Sequence, residues 1–154
     1  MTLLLAAVGR CRGGPEALLF EHYRQRLSWP LQLREVEERR KLPALQRLRR
    51  EADHLRAALP KGGVMVALDE RGVSLDSAGL AHRLGAWRDS GRQDIAFVIG
   101  GADGLDPELR QSADLQLSLG VMTWPHLLVR ALLAEQLYRA ETILAGHPYH
   151  RRSL

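Results

Sequence analysis

Residues 95–99 read Ile-Ala-Phe-Val-Ile, an unbroken apolar run. A strand with one face in water alternates apolar and polar side chains, whereas a strand covered on both faces stays apolar throughout. The run therefore predicts a central strand with helices packed above and below it. Further apolar segments at residues 2–8, 31–36, 64–68 and 115–117 predict the other strands of the same sheet.

Helical segments separate these strands. They are predicted at residues 15–27, 44–59, 77–89, from Pro107 onward, and 126–145. Strands that alternate with helices along 154 residues indicate an α/β layered fold with a mostly parallel sheet, in a single domain. The last helix is apolar around nearly its whole circumference, although packing on a sheet needs only one apolar stripe. We therefore expect a second subunit to cover it, in a homodimer.

The basic residues are almost all arginine: of 22, only Lys41 and Lys61 are lysine, against 18 acidic residues. Arginine pairs bidentately with phosphate and stacks on bases, which favours an RNA partner. Arginine codon preference in a GC-rich genome explains the composition equally well. The single cysteine, Cys11, cannot form an internal disulfide and fits a reducing cytoplasm. No apolar run approaches the roughly 20 residues that span a bilayer, so no membrane partner is expected.

A glycine-rich loop, Gly-Gly-Ala-Asp-Gly at residues 100–104, directly follows the central strand. Parallel sheets bind ligands at the carboxyl ends of their strands, and glycines there let main-chain N–H groups approach a ligand. A tight structural turn explains the loop equally well. Of six histidines only His147 and His150 lie close together, so no metal site is expected. A serine hydrolase is disfavoured because the nucleophile motif GxSxG is absent.

Four motifs occur in a fixed order: IGG at 99–101, MTWPH at 122–126, EQLYRA at 135–140 and HPYH at 147–150. With these motifs, and an opening Ala7-Val8-Gly9, the whole chain resembles the RlmH family of SPOUT methyltransferases. The resemblance implies S-adenosyl-L-methionine (SAM) as cofactor and N3-methylation of a pseudouridine in 23S rRNA on the assembled ribosome, with no DNA partner. It also implies a C-terminal deep trefoil knot, which periodicity alone does not predict.

The resemblance also implies where the cofactor binds. The knot would hold SAM between the end of one strand, the glycine-rich loop and a loop before the last helix. Carried over by position, the cofactor-binding residues are Leu68, Gly100, Gly101, Leu119, Gly120, Val121, Met122, Thr123 and Trp124.

Methylation at N3 requires the loss of an imide proton, so a general base or an anion-stabilising group is needed near the methyl. The C-terminal tail offers such groups, and we expect it to complete the active site of its own or the neighbouring subunit with His147, Tyr149, His150 and Arg151. A frayed terminus is the alternative. RNA contacts are expected from Arg130, Arg139, Arg47 and Arg50. For Arg139, an i,i+4 ion pair with Glu135 is an equally good interpretation.

Two other functions remain open at this point. The chain could be an RNA- or ribosome-binding factor that has kept the fold and lost catalysis. It could also be a SPOUT methyltransferase that acts on another RNA, such as tRNA. Cofactor binding separates the first of these from an enzyme, because a binding factor need not keep a SAM site.

Overall fold

The computed structural model describes residues 1–151. Five parallel strands form one sheet in the order β2-β1-β4-β3-β5. The strands are β1 (Thr2–Val8), β2 (Leu31–Val36), β3 (Val64–Ser74), β4 (Asp94–Ile99) and β5 (Leu115–Ser118). The prediction of an α/β fold with a parallel sheet is confirmed. β4 lies between β1 and β3, and burial of its residues 95–99 explains their unbroken apolar run.

Helices cover both faces of the sheet. They are α1 (Pro15–Arg24), α2 (Ala44–Ala58), α3 (Ser77–Asp89), α4 (Pro107–Gln111) and α5 (His126–Leu144). One core lies between the sheet and α1, α3 and α5, with Phe97 at its centre. A smaller core lies under α2 and α4, around Leu55 and Leu109. A short 3-10 helix, Pro148–Arg151, follows α5.

The apolar circumference of α5 has a different cause from the one predicted. Within a single chain α5 packs on the sheet and on both α1 and α3, so three of its sides are buried. Leu133 and Leu137 are fully buried in this way, whereas Leu132 is partly exposed. The apolar residues of α5 are thus largely used inside one subunit. A homodimer stays a prediction, and the composition of α5 supports it less than expected.

Two element boundaries differ from the prediction. β3 was expected to end at residue 68, but it continues to Ser74 through a bulge between Leu68 and Val73. The continuation depends on Gly72, where a Cβ would lie 2.5 Å from the carbonyl oxygen of Gln116 in β5. Helix α1 ends at Arg24 instead of residue 27, because the next N–H groups bond to carbonyls three residues back and form a turn.

Two classes of structure are missing from residues 1–151. None of the helices there combines the length and apolarity needed to span a bilayer. That part of the chain also lacks any grouping of three or more His, Cys, Asp or Glu side chains that could hold a metal ion.

Candidate functional site

A cleft of about 640 Å³ opens at the carboxyl ends of β3, β4 and β5. The bulge of β3 forms one wall, the glycine-rich loop after β4 forms the second, and the loop between β5 and α5 forms the third. The floor is apolar and is made by Ile99, Leu105, Leu117 and Val129. Ligand sites in parallel α/β folds occur at this end of the sheet, and small-molecule pockets are about 300–1,000 Å³ in volume.

Most residues predicted to bind the cofactor line this one cleft. They are Leu68, Gly100, Gly101, Leu119, Gly120, Met122, Thr123 and Trp124. Val121 is the exception, since its side chain is 92% exposed and does not line the cleft. The structure therefore brings together three segments that are far apart in sequence, and Val121 points away from them.

The glycine-rich loop is both a tight turn and a cleft wall. Gly104 donates its N–H to the carbonyl of Gly101 at 3.0 Å. A Cβ at Gly100 would lie 2.3 Å from the carbonyl oxygen of Gly104, closer than any side chain tolerates. The loop is therefore both a tight structural turn and a part of the candidate ligand site. The turn closes only with glycine at position 100, and the closed turn exposes its main chain to the cleft.

The loop between β5 and α5 is fixed by a buried hydroxyl. The Oγ of Ser118 accepts the Gly120 N–H at 3.1 Å and also lies 3.1 Å from the Gly120 carbonyl oxygen, to which it donates. Gly120 has φ +109°, a conformation that favours glycine. The loop therefore presents main-chain groups to the cleft in a defined orientation, beside the apolar side chains of Met122 and Trp124.

Ionisable groups at the cleft are mainly acidic, although the whole chain carries net charge +4. Asp69, Glu70 and Asp103 line the cleft, together with Arg71 and His126. Asp69 accepts hydrogen bonds from the main chain and guanidinium of Arg71, and these outweigh burial and lower the pKa of Asp69. The cleft thus combines an apolar floor and exposed main chain with three carboxylates, of which Asp69 is paired with Arg71 and Asp103 with Arg47.

His126, the first residue of α5, was not predicted as a site residue. Partial burial, and then the nearby guanidinium of Arg130, lower the pKa of His126 below its usual 6.5. The imidazole is therefore neutral at pH 7 and able to accept a proton. Its position in the MTWPH motif is the signal that marks it in the sequence.

The C-terminal tail lies on α5 and not at the cleft of its own chain. The phenol of Tyr149 donates to Glu135 at 3.1 Å, and its ring centroid is 4.6 Å from that of Tyr138. His147 accepts the Tyr149 N–H at 3.2 Å. Within residues 1–151, the four predicted catalytic residues His147, Tyr149, His150 and Arg151 do not line the cleft. The structure therefore places the tail beside the Glu135–Arg139 segment.

Tyr149 is an unsuitable base at neutral pH. Burial, followed by a hydrogen bond with Tyr23 and the negative charge of Glu135, raises its pKa well above the ordinary value of 10. The phenol therefore keeps its proton. His150 is half-buried, and its Nδ1 has no hydrogen-bond partner among residues 1–151.

The comparisons with known proteins agree with this arrangement. A family described as "Predicted SPOUT methyltransferase" matches residues 1–150. The chain belongs to this SPOUT methyltransferase family. Two relatives carry the name "Ribosomal RNA large subunit methyltransferase H". The one from Rhodospirillum centenum is 62% identical over 151 residues, which cover 98% of this chain and 99% of the relative. The one from Paramagnetospirillum magneticum is 60% identical with the same coverage.

Solved structures agree at the level of the fold. A probable methylase family protein from Haemophilus influenzae aligns with 96% of this chain and 69% of its own, with a TM-score of 0.57 and 12% identity. Membership of the SPOUT methyltransferase family confirms the predicted family and enzyme class, and with them SAM as the cofactor of the class.

The arginines expected to bind RNA in this SPOUT protein have different surroundings. Arg130 is only 3% exposed, and its guanidinium donates to Glu35 and to the carbonyl of Gly9, both at 2.8 Å. The structure directs this guanidinium into the subunit, which does not support the predicted RNA contact of Arg130; that contact stays a prediction. Its contacts fix the loop after β1 onto α5.

The other three arginines keep at least part of their side chains in solvent. Arg139 forms the i,i+4 pair with Glu135 that was the alternative interpretation. Arg47 and Arg50 lie on α2, across the sheet from α5, and are 40% and 48% exposed. Arg47 pairs with Asp103 at 2.5 Å, and Arg50 lies 3.7 Å from Glu38. The Arg47–Asp103 pair is exposed on both sides and therefore weak, so the Arg47 guanidinium stays available to phosphate. Arg50 itself is about half exposed, although its partner Glu38 is withdrawn from solvent.

Proposed function

We propose that this protein transfers a methyl group from SAM to N3 of a pseudouridine in large-subunit ribosomal RNA. The observation that carries the proposal is end-to-end identity of about 60% with relatives named as methyltransferases of that RNA. Such a substrate places the enzyme in the cytoplasm, with the ribosome as its partner and no membrane or DNA partner. We further propose that the whole chain works as a single domain.

The residues of the cleft fit SAM. An adenine ring needs an apolar slot with main-chain donors and acceptors, and the loops at 100–104 and 119–124 provide both. SAM bears a sulfonium and an ammonium group against one carboxylate, and the carboxylate of Glu70 at the cleft complements that excess of positive charge. The chemistry supplied by the bound cofactor is an electrophilic methyl group.

The protein must orient the base and remove a proton. With SAM held in the cleft, transfer of its methyl group to N3 would release S-adenosylhomocysteine and the N3 proton, and a base of the protein would have to take up that proton. Alignment of the two reactants provides much of the acceleration, and a positioned base adds to it. The imidazoles of His147 and His150 are the candidates in the tail. His126 is a neutral imidazole within the cleft itself.

We infer that the tail acts on the cleft of a neighbouring subunit in a homodimer. Its residues lie on α5 beside Glu135 and Arg139, away from the cleft of the same chain. A terminus can cross a two-fold axis without disturbing either core. Arg139 and Arg151 would then hold a phosphate or a base carbonyl of the RNA.

Methylation of ribosomes from cells that lack the gene tests the function. Large subunits from such cells, incubated with the protein and SAM, should gain one methyl group, which mass spectrometry locates in a pseudouridine-containing fragment. Subunits from wild-type cells are the control and should gain none. Methylation of tRNA instead of large subunits would contradict the proposed substrate. Absence of SAM binding in calorimetry would favour a non-catalytic RNA-binding factor.

A further inference from the structure

Five arginines surround a group of carboxylates at the carboxyl ends of β1 and β2. We call the surface that they form the β2–α2 surface. Its arginine side chains are 40–74% exposed, and they belong to Arg10, Arg39, Arg40, Arg47 and Arg50. Two of the carboxylates are largely withdrawn from solvent, since the side chains of Glu38 and Glu51 are 5% and 12% exposed. The charges that this surface exposes to solvent are therefore more positive than the sum of all its charges.

Glu38 is the organising carboxylate of this surface. It accepts the Nε–H of Arg40 at 2.9 Å and lies 3.1 Å from His54 Nε2 and 3.7 Å from Arg50 Nε. These partners come from the β2–α2 loop and from two successive turns of α2. The hydrogen bonds from Arg40 and then His54 lower the pKa of Glu38 to about 2, so it remains a carboxylate at physiological pH. One buried anion thereby holds several cations at the surface.

The β2–α2 surface borders the cleft. Arg47 pairs with Asp103, which itself lines the cleft, and lies 4.0 Å from Glu51 one turn further along α2. Glu51 in turn lies beside Gly101, because a Cβ at that glycine would be 3.6 Å from its carboxylate. A strand of nucleic acid on these arginines would therefore run to the edge of the cleft.

We propose that the β2–α2 surface binds the sugar-phosphate backbone of the RNA whose base enters the cleft, and that Glu38 is a positioning residue for its arginines. The proposal rests on the proposed function, which makes RNA the substrate. The pairs of Arg10 and Arg39 with Glu37, and of Arg47 with Asp103, are exposed on both sides and stabilise little in water, so these three arginines can exchange a carboxylate for a phosphate. Glu38 stays withdrawn beneath them and touches no RNA.

Neutralisation of two loop arginines tests the surface. The double variant Arg39→Gln/Arg40→Gln should bind large ribosomal subunits about tenfold more weakly in 100 mM KCl. The slope of log affinity against log salt should fall by about 1.4, since each lost contact to single-stranded phosphate removes about 0.7. The matched control is Arg83→Gln/Arg88→Gln on α3, which removes the same charge on the other face of the sheet. The control should keep wild-type affinity and slope.

Glu38→Gln separates positioning from mere structural support. We expect it to lower the salt slope and the affinity for large subunits while SAM binding in calorimetry stays unchanged. A purely structural Glu38 would lower the melting temperature and leave the slope alone, which would overturn the positioning role. Should this variant not fold, the double arginine variant still tests the surface.

The outcomes distinguish this inference from the proposed function. If the wild type methylates large subunits but the Arg39/Arg40 variant matches it in affinity and slope, the surface does not bind RNA. If the variant loses affinity for whole subunits and keeps it for protein-free ribosomal RNA, the surface faces a ribosomal protein, which also overturns the inference. Failure of the wild type to methylate any large subunit would count against the proposed function first.

Discussion

Gly100 serves the closure of its loop and the shape of the cleft at the same time. A side chain at position 100 would do more than exclude the cofactor. The 2.3 Å approach of a Cβ to the Gly104 carbonyl shows that the loop itself must open. Gly100→Val should therefore abolish SAM binding and also lower the free energy of unfolding by about 3 kcal/mol. Calorimetry and urea unfolding on the same sample check both effects.

Gly62 offers a matched control for that substitution. It has φ +73°, and a Cβ there meets nothing within 4 Å. Gly62→Ala should cost about 1 kcal/mol of stability through backbone strain and leave SAM affinity unchanged. Gly100→Val with wild-type stability would show that the loop adapts, and our account of its closure would be wrong.

His126 should titrate below the ordinary histidine range. Burial and the charge of Arg130 disfavour its protonated form, so its folded pKa lies below 6.5. The unfolded chain therefore binds this proton more readily than the folded chain does. The contribution of neutral His126 to the free energy of unfolding is complete above pH 6.5 and is lost as the pH falls toward the folded pKa. NMR titration of the ring checks the direction. A pKa for His126 at or above 6.5 would contradict it, and His126→Asn should remove that step from the pH dependence of unfolding.

Helix α5 ties the fold together through polar side chains on its partly buried faces. Gln136 accepts from the hydroxyl of Ser77, and Glu141 accepts from the main chain of Ser28 and Trp29. Arg130 joins α5 to the loop after β1 and to Glu35 of β2. These contacts attach the segments before β2, at the start of α3 and after β1 to a single helix.

We therefore expect substitution of Arg130 to lower the free energy of unfolding more than it lowers RNA affinity. Arg130→Ala leaves Glu35 without its partner and two carbonyls without a donor, which should cost about 3–5 kcal/mol. Arg139→Ala, which removes a more exposed pair on the same helix, should cost less than about 1 kcal/mol. Urea unfolding compares the two. Equal stability of Arg130→Ala and wild type would restore a direct contact with RNA as the better account.

The sequence predicts the helices and strands better than it predicts which parts of the protein pack against them. The buried strand at residues 95–99 and the helix at residues 77–89 follow from local patterns, and the structure has both. The apolar circumference of α5 was assigned to a partner subunit, because periodicity does not show that α1 and α3 flank the same helix. Arg130 was assigned to RNA for the same reason: its burial depends on a loop more than a hundred residues away. The deep trefoil knot stays a prediction.

At the scale of the whole molecule, the cleft and the tail lie apart within one chain. The residues predicted for the cofactor converge from three segments, whereas the residues predicted for catalysis pack against Glu135 and Tyr138. If the tail is catalytic as proposed, a single chain carries the two parts of the site without joining them. A homodimer that sets the tail of one subunit beside the cleft of the other joins them with no change in either fold.

Deletion of residues 147–154 tests this arrangement. It removes two imidazoles, a phenol and two guanidiniums, and none of its described residues 147–151 is buried in the core, so dimerisation in light scattering and SAM binding in calorimetry should persist. Methylation of large subunits should fall by at least a hundredfold, the usual contribution of a positioned acid or base. Near wild-type activity of the truncated protein would exclude the tail and leave His126 as the remaining candidate base.

Mixed dimers decide which subunit the tail serves. One subunit carries the tail deletion with an intact cleft, and the other carries Gly100→Val with an intact tail. If the tail crosses the interface, the intact tail reaches the intact cleft and this heterodimer regains about half of the wild-type activity, whereas each parental homodimer is inactive. If the tail serves its own cleft, no subunit has both parts and the heterodimer is as inactive as its parents. Because Gly100→Val also weakens its subunit, the purified heterodimer should first be shown to bind one SAM per dimer.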